Sequence, residues 1–148
     1  MASSGQFAAM VTAPFSAAIQ NVIDKMFDEL QNDIEAKVYS STGEIATHTL
    51  VDAWRHEAHG LWGTLQFDPS MLPVAPESWV HGSQYDPRFP DVRALILDII
   101  QGGYKAYNAK TGIDIGGRPF WDAYVAKVNA NFDGWMRAAL IAQGLPVV

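Results

Sequence analysis

Between Pro14 and Val38 apolar residues return at every third or fourth position: Phe15, Ile19, Val22, Met26, Leu30, Ile34 and Val38, with Ile23 and Phe27 widening the stripe. That period predicts one amphipathic helix. Pro14 suits a first helical turn, and Ser40-Ser41-Thr42-Gly43 ends the run. At 1.5 Å per residue the helix is about 37 Å long. A single domain of 148 residues is about that wide. The rest of the chain must therefore pack along its apolar side. Its polar side, with Asp24, Asp28, Glu29, Asp33 and Glu35, is left to water or to a neighbour.

The remaining pattern supplies what packs there. Residues 1–13, rich in Ala, Ser and Gly, read as an adaptable arm, and residues 14–148 as a single domain. Ala46 to Trp54 is a short amphipathic piece with Leu50, Ala53 and Trp54 on one side. Trp54 to Phe67 reads as strand, turn, strand: His59-Gly60 makes the break, and Leu61, Gly63, Leu65 and Phe67 alternate with Trp62, Thr64 and Gln66. Residues 68–90 hold Pro69, Pro73, Pro76, Pro87 and Pro90, an excursion without a regular element. Loops of that length are usually functional or reach a partner. Asp91 caps a middle helix bearing Val92, Leu95, Ile96, Ile99 and Ile100, closed by Gly102-Gly103. Tyr104 to Gly117 is glycine-broken, with a short strand or turn, and a last helix runs from near Pro119 to about Ala142. The fold class is α+β: a long N-terminal helix, a small antiparallel sheet, a short middle helix and a C-terminal helix.

Charge narrows the function. The chain has 16 acids and 10 bases, a net charge of −6. Clamping nucleic acid needs a basic surface, which this charge balance does not supply; a wall that DNA slides past suits it. The absence of cysteine rules out disulfides and thiolate metal sites. The start, MASSGQFAAMVTAPF, has no positive charge ahead of its apolar run and does not read as a secretory signal.

Candidate chemistry is sparse. Arg55-His56-Glu57-Ala58-His59 places two histidines around a glutamate, but a zinc-peptidase helix needs them at i and i+4, and here they stand at i and i+3. On a strand they point to opposite faces. His48 and His81 are isolated in sequence, and no serine sits in a Gly-x-Ser-x-Gly elbow. Gly112 to Arg118 lacks the lysine of a phosphate loop and reads as a turn. No catalytic residue, cofactor site or metal site is assigned. The apolar side chains of the excursion, Met71, Leu72, Trp79, Tyr85 and Phe89, suit either a lid over the sheet or docking onto another subunit. Apolar arms at a terminus and in a loop suit a head-to-tail ring, in which each copy reaches the next.

Two motifs carry a resemblance: Thr47-His48-Thr49-Leu50-Val51-Asp52-Ala53-Trp54 leading into the sheet, and Gly117-Arg118-Pro119-Phe120-Trp121 opening the last helix. With the order of elements, they resemble the tail-completion, or head–tail joining, family of long-tailed bacteriophages, whose members are minor capsid or minor tail components. The resemblance spans roughly residues 14–142; His48 stands where the family usually has glycine, and the excursion at 68–90 is longer than the family's hairpin connection. It implies a ring-forming structural protein of the virion neck or tail top, without enzyme activity, assembled in the host cytoplasm. A hexamer is the expected ring and a dodecamer the alternative. The implied partners are other copies, the neighbouring connector and tail proteins, and DNA at most passing through the channel. Interface candidates are Phe15, Asp28, Glu29, Asp33, Met71, Leu72, Trp79, Tyr85, Phe89 and Arg118, with Arg118 paired to an acid on a neighbour's first helix. Two competing readings are a small metal-dependent hydrolase using His56, Glu57 and His59, and a cellular adaptor or toxin-neutralising module.

Overall fold

The computed structural model describes residues 3–39, 49–72, 96–106 and 113–148. The chain divides into two compact units, one of residues 1–32, 54–67 and 124–148 and one of residues 33–53 and 68–123. The architecture is α+β, as the pattern predicts. Among the described residues the elements are α1 (Ser4–Ile34) with a π-helical extension over Glu35–Tyr39, α2 (Thr49–Asp52), β1 (Trp54–His59), β2 (Trp62–Phe67), a 3-10 turn (Pro69–Met71), α3 (Ile96–Gly102), β3 (Gly103–Ala106), β4 (Ile113–Gly116) and α4 (Phe120–Ala142).

The first unit is two helices and a hairpin. α1 and α4 run antiparallel: Ala18 and Val22 pack with Ala139, and Met26, Trp135, Met136 and Leu140 close around them. Farther along, the Tyr124 hydroxyl donates to the Met26 carbonyl at 3.1 Å. The hairpin β1–β2 lies on the adjacent side of α1. Its register pairs His56 with Leu65, Ala58 with Gly63 and His59 with Trp62, so Gly60-Leu61 forms a two-residue turn, with Gly60 at φ 64°. The sequence break at His59-Gly60 is where the strand ends. Gly63 is dictated by packing, since a Cβ there would stand 2.7 Å from Ile23 Cγ1 and 3.1 Å from Ile19 Cγ2.

The start of α1 corrects the sequence reading. The arm expected over residues 1–13 is helical from Ser4, well before Pro14. The reason is a capping box: the Ser3 hydroxyl accepts from the Gln6 N–H at 3.3 Å while Gln6 Oε1 accepts from the Ser3 N–H at 2.9 Å. Pro14 therefore sits inside the helix, where its missing N–H costs one ladder bond.

In the second unit Ile34, Val38, Leu50, Val51, Ala53, Leu72, Ile96, Ile100 and Phe120 are buried. Asp68 caps the 3-10 turn, its side chain accepting from the Ser70 N–H at 3.0 Å. Gly103, at φ 74°, takes the chain out of α3 into β3, which pairs antiparallel with β4. The small antiparallel sheet expected from sequence is β1–β2, and among the described residues β3 and β4, at the two ends of the glycine-broken stretch from Tyr104 to Gly117, form a second two-stranded sheet. The Arg118 N–H then donates to the Ile100 carbonyl at 2.7 Å, and Phe120, fully buried, starts α4. The expected cap Asp91, with Val92 and Leu95, lies outside the described residues, as does the excursion from Pro73 to Pro90.

Candidate functional site

The first unit holds the Arg55-to-His59 cluster and the acids Asp24, Asp28 and Glu29. β1 divides its two histidines between the faces of the hairpin. His56 points at α1, stacked on Phe27 with ring centroids 4.0 Å apart and planes within 13°, and its Nε2 lies 3.6 Å from Asp24 Oδ1. His59 points outward, stacked on Trp62 at 4.5 Å with its Nε2 3.1 Å from Glu57 Oε2. The alternation of a strand produces this split, and it keeps the two imidazoles from sharing an ion. Among the described residues no group of three or more His, Asp or Glu side chains is arranged to hold a metal.

The acidic side of α1 is only partly free. Glu29 receives Lys25 at 2.8 Å from its own helix and Lys127 at 3.2 Å from α4. The hydrogen bond from Lys25, then that from Lys127, holds the Glu29 carboxyl below the usual carboxylate range, against an opposing push from burial. Lys25 also lies over the Trp135 ring, 5.9 Å from its centroid. Asp28 is exposed, and Asp24 is half-exposed beside His56.

Of the interface candidates, Asp28 and Met71 are exposed and Phe15 is half-buried. Glu29 is clamped between two lysines. In the second unit Asp33 is buried with Lys37 at 3.8 Å, and Leu72 is buried in the core. Arg118 is half-buried and its Nη1 donates to the Val38 carbonyl at 3.0 Å, satisfying a backbone acceptor at the end of the π-helical turn. Trp79, Tyr85 and Phe89 lie outside the described residues.

Sequence reasoning missed a different surface. Phe7, Met10, Leu61, Trp62 and Ile141 are all well exposed. The contacts above bring them to one end of the first unit. Moving along the hairpin from His56 to Gly63 passes from Phe27 back to Ile23 and Ile19, so the Leu61–Trp62 tip points toward the N-terminal end of α1. Ala139 meets Ala18 whereas Lys127 meets Glu29, so the C-terminal end of α4 lies at that end too. Residues 2–23, 60–67 and 138–148 carry no ionisable side chain. Along α1 the charge is polarised: no ionisable side chain comes before Asp24. Two signals were available, the Ser3-x-x-Gln6 cap and the lack of charge before Asp24.

No helix among the described residues is long and apolar enough to cross a membrane. Comparison of the chain with protein-family models, with curated proteins and with solved structures finds no match.

Proposed function

We propose that the chain is a structural subunit of a bacteriophage neck or tail top, assembling as a homo-oligomeric ring through which DNA passes, with no catalytic role. The observation that carries this reading is the pair of motifs that resemble the tail-completion family, each at a turning point of the fold. Ala53 and Trp54, at the head of β1, are buried, and Gly117-Arg118-Pro119-Phe120 launches α4 on a fully buried Phe120. A structural role also fits how the reactive side chains are used. His56 packs on Phe27, Glu29 ties α1 to α4, and Arg118 supports the Val38 carbonyl.

On this reading Asp28 and the exposed part of Asp24 face a channel, where negative charge repels DNA phosphates and keeps the duplex from sticking. The partners are neighbouring copies and the connector and tail proteins above and below; the location is the virion. The test is an antibody against the chain, imaged on particles of the phage that carries it. Label confined to the junction of head and tail supports the proposal, and particles without label there contradict it.

A further inference from the structure

We infer that the end of α1 is a winding device with two settings, and that Arg118 is the latch that holds the observed one. The inference is independent of the ring reading above.

Glu35–Tyr39 continues α1 as a π-helical turn, in which each bond closes five residues apart instead of four. Such turns are rare, and single ones are frequent at functional sites. The local sequence gives no reason for one here. Glu35, Ala36 and Lys37 are among the better α-helix formers, and the segment holds no glycine or proline. Lys37 even reaches back to Asp33 at 3.8 Å, the i,i+4 pairing that an α-helix makes. Left to its own preferences, the segment winds as α.

The observed setting is therefore imposed by a contact from elsewhere in the chain, and Arg118 makes it. Its Nη1 donates to the Val38 carbonyl at 3.0 Å, across 80 residues of sequence. The platform behind that side chain is fixed. The Arg118 N–H donates to the Ile100 carbonyl at 2.7 Å, a Cβ on Gly117 would stand 2.4 Å from the Gln101 carbonyl oxygen, and Phe120 is fully buried. The guanidinium accordingly holds the carbonyl from one direction and does not follow it.

Two observations make the second setting reachable. Arg118 Nε is buried without a hydrogen-bond partner among the described residues, so the latched state carries an unmet donor that release would give back to water. The core also accepts either winding. Ile34 and Val38 are both buried in the π-turn, and residues four apart share a face in an α-helix as well. Rewinding takes one residue out of the turn, worth about 100° of rotation at the end of the helix.

The experiment uses the full chain, isotopically labelled, with Arg118→Met, which has no donor, and Arg118→Gln, which is too short to reach the carbonyl. Thermal melts check folding, and NMR couplings across hydrogen bonds read which carbonyl each amide of the segment takes. The wild type is expected to show couplings five residues apart over Glu35–Tyr39. Each folded variant is expected to lose them and to show couplings four residues apart in their place, and either folded variant decides the matter. A wild type already coupled four apart, or a folded variant that keeps the π pattern or loses both patterns, would overturn the inference. So would failure of both variants to fold, since Arg118 would then hold the fold itself and not the winding of α1.

Discussion

At the scale of single residues, glycine positions and one carboxylate make the sharpest demands. A methyl group on Gly63 meets Ile23 and Ile19 beneath the hairpin, while one on Gly134 in α4 meets open space. Gly63→Ala is therefore expected to destabilise the fold by about 1–3 kcal/mol through overpacking. Gly134→Ala should stabilise it by about 0.5–1 kcal/mol through helix propensity alone. Opposite shifts of the two midpoints in urea check this pair; equal shifts would refute the hairpin–helix packing. Glu29 adds a pH dependence. Its carboxyl titrates lower in the folded chain than in the unfolded one, so its contribution is present above about pH 4.5 and is lost as pH falls through the depressed folded value. Lys127→Met is expected to cost about 0.5–1 kcal/mol at pH 7, as for a partly exposed ion pair. Stability of the variant should then fall less steeply with acid than that of the wild type. Parallel curves for the two below pH 5 would show that Lys127 does not hold Glu29.

At the scale of elements, much was legible because the signals were local. The Phe15-to-Val38 stripe, the break at His59-Gly60, and the Pro119–Phe120 start of the last helix each fixed an element close to where it stands. The first turns of α1 were misread because Pro14 looks like a start, while the Ser3–Gln6 cap nearer the N-terminus is a stronger one. The consequence is testable. Ser3→Ala removes the cap of helical turns that are exposed from Ser3 to Met10, so amide exchange over residues 4–10 should speed up severalfold with the melting temperature of the monomer unchanged. A fall in that melting temperature would mean that these turns belong to the core. The division into two hairpins was not legible, because strand pairing depends on which segments meet in space. Nor was the inward use of Asp33 and Arg118, since an acid and a base in sequence do not reveal which backbone carbonyl or lysine they will find.

At the scale of the whole molecule, charge is segregated along α1: its first ionisable side chain is Asp24, and its acids follow from there. Salt separates an apolar contact between copies from one held by ion pairs. An apolar contact between copies that each carry −6 should hold or tighten when sodium chloride rises from low to near-molar concentration, whereas an assembly joined through Asp28 or Arg118 should loosen. The most direct measurement is an image of the purified full chain at the concentration where it assembles. Closed particles of one rotational symmetry with a central opening are the predicted result. A uniform population of single subunits, or compact two-fold dimers with no opening, would contradict the ring.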